Sequence, residues 1–279
     1  MKTKFLSVML FLSLIMGSCI NEPFHTRARF PSVSIDGKQI AFFYDYGNNR
    51  GEAPFVSGIY IMPFNGGGKK LIYPLYSMET GYINWNPAKN QLLISEGIIT
   101  LHNNEFSKIQ LNKLFNSIED VREMNFTWAP DGKSLLYNIN DSMYICDTLF
   151  QQSRKLSLQG RGARWMPDGE RLTYMRNGEI YIADTLSYQE TQITNDGMRK
   201  GAPIPSPDGT KLSYIVSDNN IWLINIDGSN PYFLTKSNWF NYSWTPDSKA
   251  IVYSKEDDWD TFLWKIDIDG RNDIQISKE

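Results

Sequence analysis

The chain has 279 residues, 41% of them hydrophobic, with 28 basic and 31 acidic residues and a formal net charge of −3. That length is ample for one β domain with its own core, and the acidic balance argues against a nucleic-acid partner, which needs a net basic field or stripe. Two histidines, His25 and His102, and two cysteines, Cys19 and Cys146, leave little material for a zinc site, a Ser-His-Asp triad or a disulfide framework.

In chain order, Lys2 and Lys4 precede an apolar run from Phe5 to Met16 and the small pair Gly17-Ser18. This is the pattern of a secretory signal, too short to span a bilayer as a stable helix. Cys19 follows at once, and the segment resembles a bacterial lipoprotein signal, in which that cysteine is freed and acylated. The expected division is a signal peptide over 1–18, a lipidated tether over 19–28 and a folded domain over 29–279. Acyl chains on Cys19 would hold the protein to a membrane. Ile20, not being aspartate, implies in the lipoprotein pattern passage to the outer membrane of the cell envelope. Cys146, left without a partner, is expected to be small buried packing.

From Arg29 onward one pattern recurs, most completely in Ala202–Thr235. There a short apolar run ends in Pro207-Asp208-Gly209, and an alternating strand carries Leu212 and Tyr214. A second strand, Ile221-Trp222-Leu223-Ile224, closes on Asp227-Gly228, and a third ends at Leu234-Thr235. The turn recurs as Ile35-Asp36-Gly37, Pro87-Ala88-Lys89, Pro130-Asp131-Gly132, Pro167-Asp168-Gly169, Pro207-Asp208-Gly209 and Pro246-Asp247-Ser248. Two residues before the proline position stand Val33, Trp85, Trp128, Trp165, Pro205 and Trp244. Apolar pairs at i and i+2 follow each turn, from Ile40/Phe42 to Ile251/Tyr253, the period of a pleated strand. Four strands in each of six such repeats predict an all-β fold, a six-bladed β-propeller of four-stranded antiparallel blades.

These ordered matches, over about Arg29 to Ser277, resemble the blade repeat of the TolB-like β-propellers. The second repeat departs most, with Ala88-Lys89-Asn90 in its turn, and the first lacks both Trp and Pro. The family's founding member carries an α/β domain ahead of its propeller, for which this sequence has no room. A monomeric, non-catalytic scaffold without cofactor is expected, and the resemblance implies as its partner an envelope protein complex or a peptidoglycan-associated lipoprotein. A polar loop over Tyr44–Ser57 is expected to project, and helical spacing of Leu111, Leu114, Phe115, Ile118 and Val121 predicts a short rim helix in Gln110–Asn125. Closure between the first and sixth blades is expected from packing rather than ladder hydrogen bonds, with Trp244, Tyr253 and Trp264 supplying the apolar area.

Catalytic constellations are missing from the sequence: it holds no G-x-S-x-G, H-E-x-x-H, C-x-x-C or P-loop motif. The acidic stretches Asp227–Asn230 and Asp267–Asn272 lack the spacing of a calcium loop and read as turns, so no metal is expected. Glu256, Asp257, Asp258 and Asp260 read as a solvated loop. Asp141-Ser142-Met143, Asp147-Thr148-Leu149 and Asp184-Thr185-Leu186 resemble an O-glycan acceptor triplet, although hairpin turns explain them as well. The tryptophans at the repeated position are expected in inter-blade core, leaving Trp239 and Phe240 as exposed contact candidates. The connections between outer and next inner strands carry Arg27, Arg29, Arg122, Arg161, Arg164, Arg199 and Lys200. The propeller resemblance gathers those connections at one channel mouth, where a basic funnel would receive an anionic peptide end or an acidic glycan. A carbohydrate-binding mouth, or less readily a hydrolase or lyase, is the alternative reading.

Overall fold

A computed structural model describes residues 25–47, 56–75, 82–95, 97–102, 105–108, 126–201, 203–217, 219–237 and 242–277, and the regular structure among them is β-strand. The first repeat supplies β1 (His25–Val33), β2 (Gln39–Gly47), β3 (Val56–Pro63) and β4 (Lys70–Pro74), and the second β5 (Ile83–Trp85), β6 (Gln91–Ile94), β7 (Gly97–Thr100) and β8 (Glu105–Lys108). The third holds β9 (Thr127–Trp128), β10 (Ser134–Ile139), β11 (Ser142–Asp147) and β12 (Ser153–Gln159), and the fourth β13 (Arg161–Trp165), β14 (Arg171–Arg176), β15 (Glu179–Asp184) and β16 (Glu190–Gln192). The fifth holds β17 (Ile204–Pro205), β18 (Lys211–Val216), β19 (Asn220–Asn225) and β20 (Tyr232–Lys236), and the last β21 (Tyr242–Trp244), β22 (Ala250–Asp257), β23 (Asp260–Asp267) and β24 (Ile274–Gln275). Four repeats form separate four-stranded antiparallel sheets, and the first and last share one eight-stranded sheet. The fold is all-β and propeller-like.

The turn chemistry explains why each repeat folds back after its inner strand. Asp36, Asp131, Asp168, Asp208 and Asp247 each accept a backbone N–H two residues on, at 2.9–3.1 Å. This is the Asx mimic of a backbone turn. Ser248 stands at a φ of 60° where four of the other repeats place glycine. Its hydroxyl recovers part of that strain by accepting the Asp208 amide of the neighbouring repeat at 3.0 Å. In the aberrant second repeat the work passes to buried Asn86, whose Oδ1 accepts the Ala88 and Lys89 amides at 2.8 and 3.0 Å. Its Nδ2 donates to the Gly132 carbonyl at 3.2 Å. Gly132 has a φ of 65°, and a Cβ there would stand 2.3 Å from Asn86 Oδ1, so both backbone and space require glycine.

Packing takes the form of apolar clusters that each draw on two consecutive repeats. Ala41, Phe43 and Ile59 meet Ile83, Leu92 and Ile99, and Tyr82 and Leu93 meet Phe126, Trp128 and Tyr137. Leu136 and Leu156 meet Ala163 and Leu172, Ile180 and Ile182 meet Leu212 and Tyr214, and Ile215 and Leu223 meet Trp244 and Ile251. Finally Ala28, Ile40 and Phe42 of the first repeat meet Val252, Leu263 and Ile276 of the last. The second strands place Tyr137, Tyr174 and Tyr253 fully inside, each with its hydroxyl bonded near the outer strand, to Ser153, Glu190 and Asp273 respectively. That is how a large ring is buried without an orphaned polar tip.

Closure differs from the sequence expectation in two respects. β1 pairs in parallel with β23 at Arg27 and Thr261, and the Thr26 amide donates to Asp260 at 2.6 Å. The strand therefore begins at His25, inside the stretch assigned to a tether, because those residues find ladder and side-chain partners on the long β22–β23 hairpin. Trp244, Tyr253 and Trp264 pack against the fifth repeat instead of the first. Alternation along β21–β23 turns them to that side, while Val252 and Leu263 face β1. The expected rim helix in 110–125 and the tip of the Tyr44–Ser57 loop lie outside the described residues.

Candidate functional site

Two cavities draw on the residues that the sequence singled out. Every repeat's inner strand contributes to a central channel of about 280 Å³. The residue preceding each Trp position faces it: Ser32, Asn84, Thr127, Arg164, Ile204 and Ser243. Period-two alternation directs it there, while the Trp position packs into the clusters and reaches the channel only at its border, as Trp85, Trp165 and Trp244 do. Part of the wall is stitched by these side chains. Ser243 Oγ accepts the Val33 amide at 3.2 Å, Ser32 Oγ accepts the Trp85 amide at 3.0 Å, and Asn84 Nδ2 donates to the Phe126 carbonyl at 3.1 Å.

Arg164 interrupts that pattern. It is the one charged side chain among the described channel-lining residues, and its Nη1 is enclosed without a hydrogen-bond partner. The hydroxyls of Tyr82 and Tyr242, residues only 5% exposed, are likewise without partners. Burial lowers the Arg164 pKa, with the Tyr242 and Tyr82 hydroxyls the groups acting to raise it, and no carboxylate of the described residues acts on it. Burial also pushes both tyrosine hydroxyls well above their usual range, so they remain protonated donors.

The second cavity, of about 700 Å³, opens on the face that carries the hairpins between second and third strands. Asp141, Arg161, Arg176, Gly178, Arg199 and Lys200 line it. Its cations are largely matched. Arg161 pairs with Asp141, both mostly exposed. Arg176 forks onto Glu190 at 2.8 and 2.9 Å and lies 4.3 Å over the Tyr181 ring. The fully buried Lys200 ammonium donates to Glu179 and to the Met198 carbonyl, each at 2.9 Å, and to Asp196. Burial pulls the Glu179 carboxyl upward, but hydrogen bonds from Thr194, Lys200 and the Gly197 amide outweigh it and hold the group below its usual value. Arg199 is exposed and makes no ion pair among the described residues.

With this geometry in view, comparison with known proteins finds that residues 117–279 match the family model of the TolB beta propeller domain. The chain belongs to the TolB β-propeller family. No match was found among curated proteins. Among solved structures, the TolB-like chain is similar to TolB from Acinetobacter baumannii at 18% identity and a TM-score of 0.48, covering 92% of this chain and 58% of that one. A chain of the mitotic checkpoint complex gives 11% identity and a TM-score of 0.55, with 85% and 89% covered, a likeness of fold alone.

Within the TolB-like propeller, the predicted basic cluster divides. Arg161, Arg199 and Lys200 do line one cavity, whereas Arg164, three residues further along β13 than Arg161, sits inside the channel. Arg29 reaches neither: it is buried against Asp45 at 2.9 Å and lies 5.3 Å from the centre of the Phe43 ring. An Arg-Asp pairing across β1 and β2 offsets its burial better than an open mouth would, and Arg27 adds a second contact to Asp45 at 3.8 Å. Arg122, Cys19, Trp239 and Phe240 lie outside the described residues. Sequence reasoning missed Arg176, because it looked at connections between repeats and not at hairpins ending on the same face. It also missed Trp259, 74% exposed at the tip of the β22–β23 hairpin on that face, with its ring 6.0 Å from His25.

Several local readings of the TolB-like chain are matched by its geometry. Trp128 Nε1 donates to the Asn84 carbonyl of the preceding repeat, and Trp244 Nε1 to the Ile204 carbonyl and Ser213 hydroxyl, at 3.3, 3.2 and 2.9 Å. Cys146 is buried and unpaired, its thiol pushed up to about 12 by burial. Asp147 and Asp184 cap their own turns, and the Thr185 hydroxyl is buried on the Glu170 carbonyl, which is the hairpin reading of those triplets. Asp227 and Asp267 accept bonds from Ser229 and Asn272 within their turns.

Proposed function

We propose that this TolB-like chain is a six-bladed binding propeller of the cell envelope, lipid-anchored at Cys19 in the outer membrane. In this reading it holds a protein partner on its hairpin face and performs no chemistry. What supports six blades is the run of apolar clusters, each shared by consecutive repeats and returning from the last to the first. The binding reading is carried by one observation: the hairpin face presents both an exposed indole, Trp259, and an open cavity of about 700 Å³. Exposed Trp and Arg side chains around a concavity are what a partner's contact residues need. The matched charges in that cavity favour a partner surface of mixed sign over a purely anionic ligand.

Photo-cross-linkers placed at Trp259 and Arg199 in intact cells are expected to capture the same protein, and one placed at Ile35, exposed on the opposite turn face, is not. Equal capture from all three positions would sink the face assignment. Trp259 would also stack on a sugar ring, so quenching of indole emission by oligosaccharides, lost in Trp259→Ala, is the outcome that favours the carbohydrate alternative. For the anchor, Cys19→Ala is expected to release the chain into the soluble fraction. Membrane association surviving an alkaline wash would refute it.

A further inference from the structure

We propose that the central channel is a carboxylate-binding site, with the Arg164 guanidinium as anion receptor and the Tyr82 and Tyr242 hydroxyls as flanking donors. The inference deepens the binding reading above by giving the channel a ligand class of its own. An enclosed guanidinium in a low-dielectric site is costly unless an opposite charge and hydrogen-bond acceptors meet it. Here the described residues supply neither, since Arg164 Nη1 has no acceptor and no carboxylate acts on it. The other polar groups around the channel are largely committed to the wall: Ser32, Asn84 and Ser243 hold the inner strands together.

Donors without acceptors converge on this place. The Tyr82 hydroxyl lies beside the Phe126 backbone and that of Tyr242 beside Ser213, contacts made to the phenol oxygens, and neither O–H has an acceptor among the described residues. The Ser213 hydroxyl is already engaged, donating to the Ile204 carbonyl and accepting from Trp244. Two phenol donors and a guanidinium fork form a set that accepts only an acceptor-rich anion, and a planar carboxylate matches the fork. A volume of about 280 Å³ admits a carboxylate with a few further atoms, not a bulky ligand. Such a group comes either as a free small acid or as the carboxyl end of a partner's chain.

The channel contains its own reporter, since Trp85, Trp165 and Trp244 line it. The full mature chain is titrated with acetate, and separately with N-acetyl-Ala-Ala bearing a free carboxylate or an amide, at constant ionic strength set by chloride. Tryptophan emission and Tm are the readouts. Acetate and the free-acid peptide are expected to shift both at concentrations up to ~50 mM, and the amide is not. A peptide affinity about tenfold above that of acetate identifies a chain terminus as the source, and equal affinities a small free acid.

Arg164→Met is expected to weaken carboxylate binding about tenfold or more while its ligand-free Tm stays equal or rises, because a buried charge has been replaced by an apolar stem. Carboxylate binding undiminished in Arg164→Met, or no response of the parent chain to either acid, overturns the site. If Arg164→Met does not fold, the double variant Tyr82→Phe/Tyr242→Phe decides the matter. A loss of about fivefold or more in acetate affinity supports the site, and unchanged affinity overturns it. A partner cross-linked normally through Trp259 in a chain that binds no carboxylate would remove the channel site and leave the hairpin-face reading standing.

Discussion

Lys200→Met is expected to destabilise the protein by about 3 kcal/mol, the range for removing one partner of a buried ion pair. Lys200 has no exposed side-chain area, and its three bonds, to Glu179, Asp196 and the Met198 carbonyl, fasten the β16–β17 connection to the start of β15. With the ammonium gone, Glu179 keeps its bonds from Thr194 Oγ1 and the Gly197 amide at 2.7 Å but loses its counter-charge. Adding Glu179→Gln is expected to recover a substantial part of the loss, because the uncompensated charge is then removed as well. Chemical denaturation of the four-member cycle measures this. A Lys200→Met loss below about 0.5 kcal/mol, the size of an ordinary surface change, would overturn the clamp.

The same clamp has a pH signature. Glu179 is held below its unfolded pKa, so its stabilising contribution is complete above the ordinary glutamate range and is lost as the pH falls through the folded value. Acid unfolding is therefore expected to begin at lower pH in the parent than in Lys200→Met, where that depression is weakened. The Glu179→Gln variant removes this contribution.

Trp244→Ala is expected to cost about 4 kcal/mol, as truncation of a buried Trp leaves a cavity its neighbours only partly fill. Trp244 is 5% exposed and belongs to the apolar cluster between the fifth repeat and the last, with Ile215, Leu223, Tyr242 and Ile251. Trp244→Phe keeps most of the apolar area and loses the indole N–H. Its cost is expected to be only about 1 kcal/mol, because Ser213 Oγ continues to donate to the Ile204 carbonyl at 3.1 Å. Denaturant midpoints at constant m-value distinguish the two contributions. Near-equal losses for Ala and Phe would mean that the hydrogen bond, not the packing, holds these repeats together.

The candidate site was legible only in part. Arg161, Arg199 and Lys200 could be placed on one face because each repeat's connection must return to the same end of its sheet. Whether they form a positive funnel could not be read, since Asp141 and Glu179 come from other segments and, with Asp196 four residues before Lys200, cancel much of the field. Arg29 looked like a mouth residue by position and is instead neutralised across a strand pair by Asp45. Arg164 carried a usable signal: it occupies the place before Trp165 where other repeats hold Ser, Asn, Thr or Ile, so alternation alone turns a lone cation toward the axis.

By itself, the sequence determined the strands, their turns and their family, because each repeat carries local chemistry that acts within a few residues. The Asp caps, the glycines at positive φ and the period-two apolar pairs are of this kind. Tertiary structure alone decided the contacts between distant segments: the seam of β1 on β23, the transfer of the second repeat's turn to Asn86, and the seclusion of Arg164 between Tyr82 and Tyr242. Those outcomes depend on which charges and donors meet after the chain has curved back on itself, and residues 234 positions apart, such as Thr26 and Asp260, leave no mark of their pairing in local pattern.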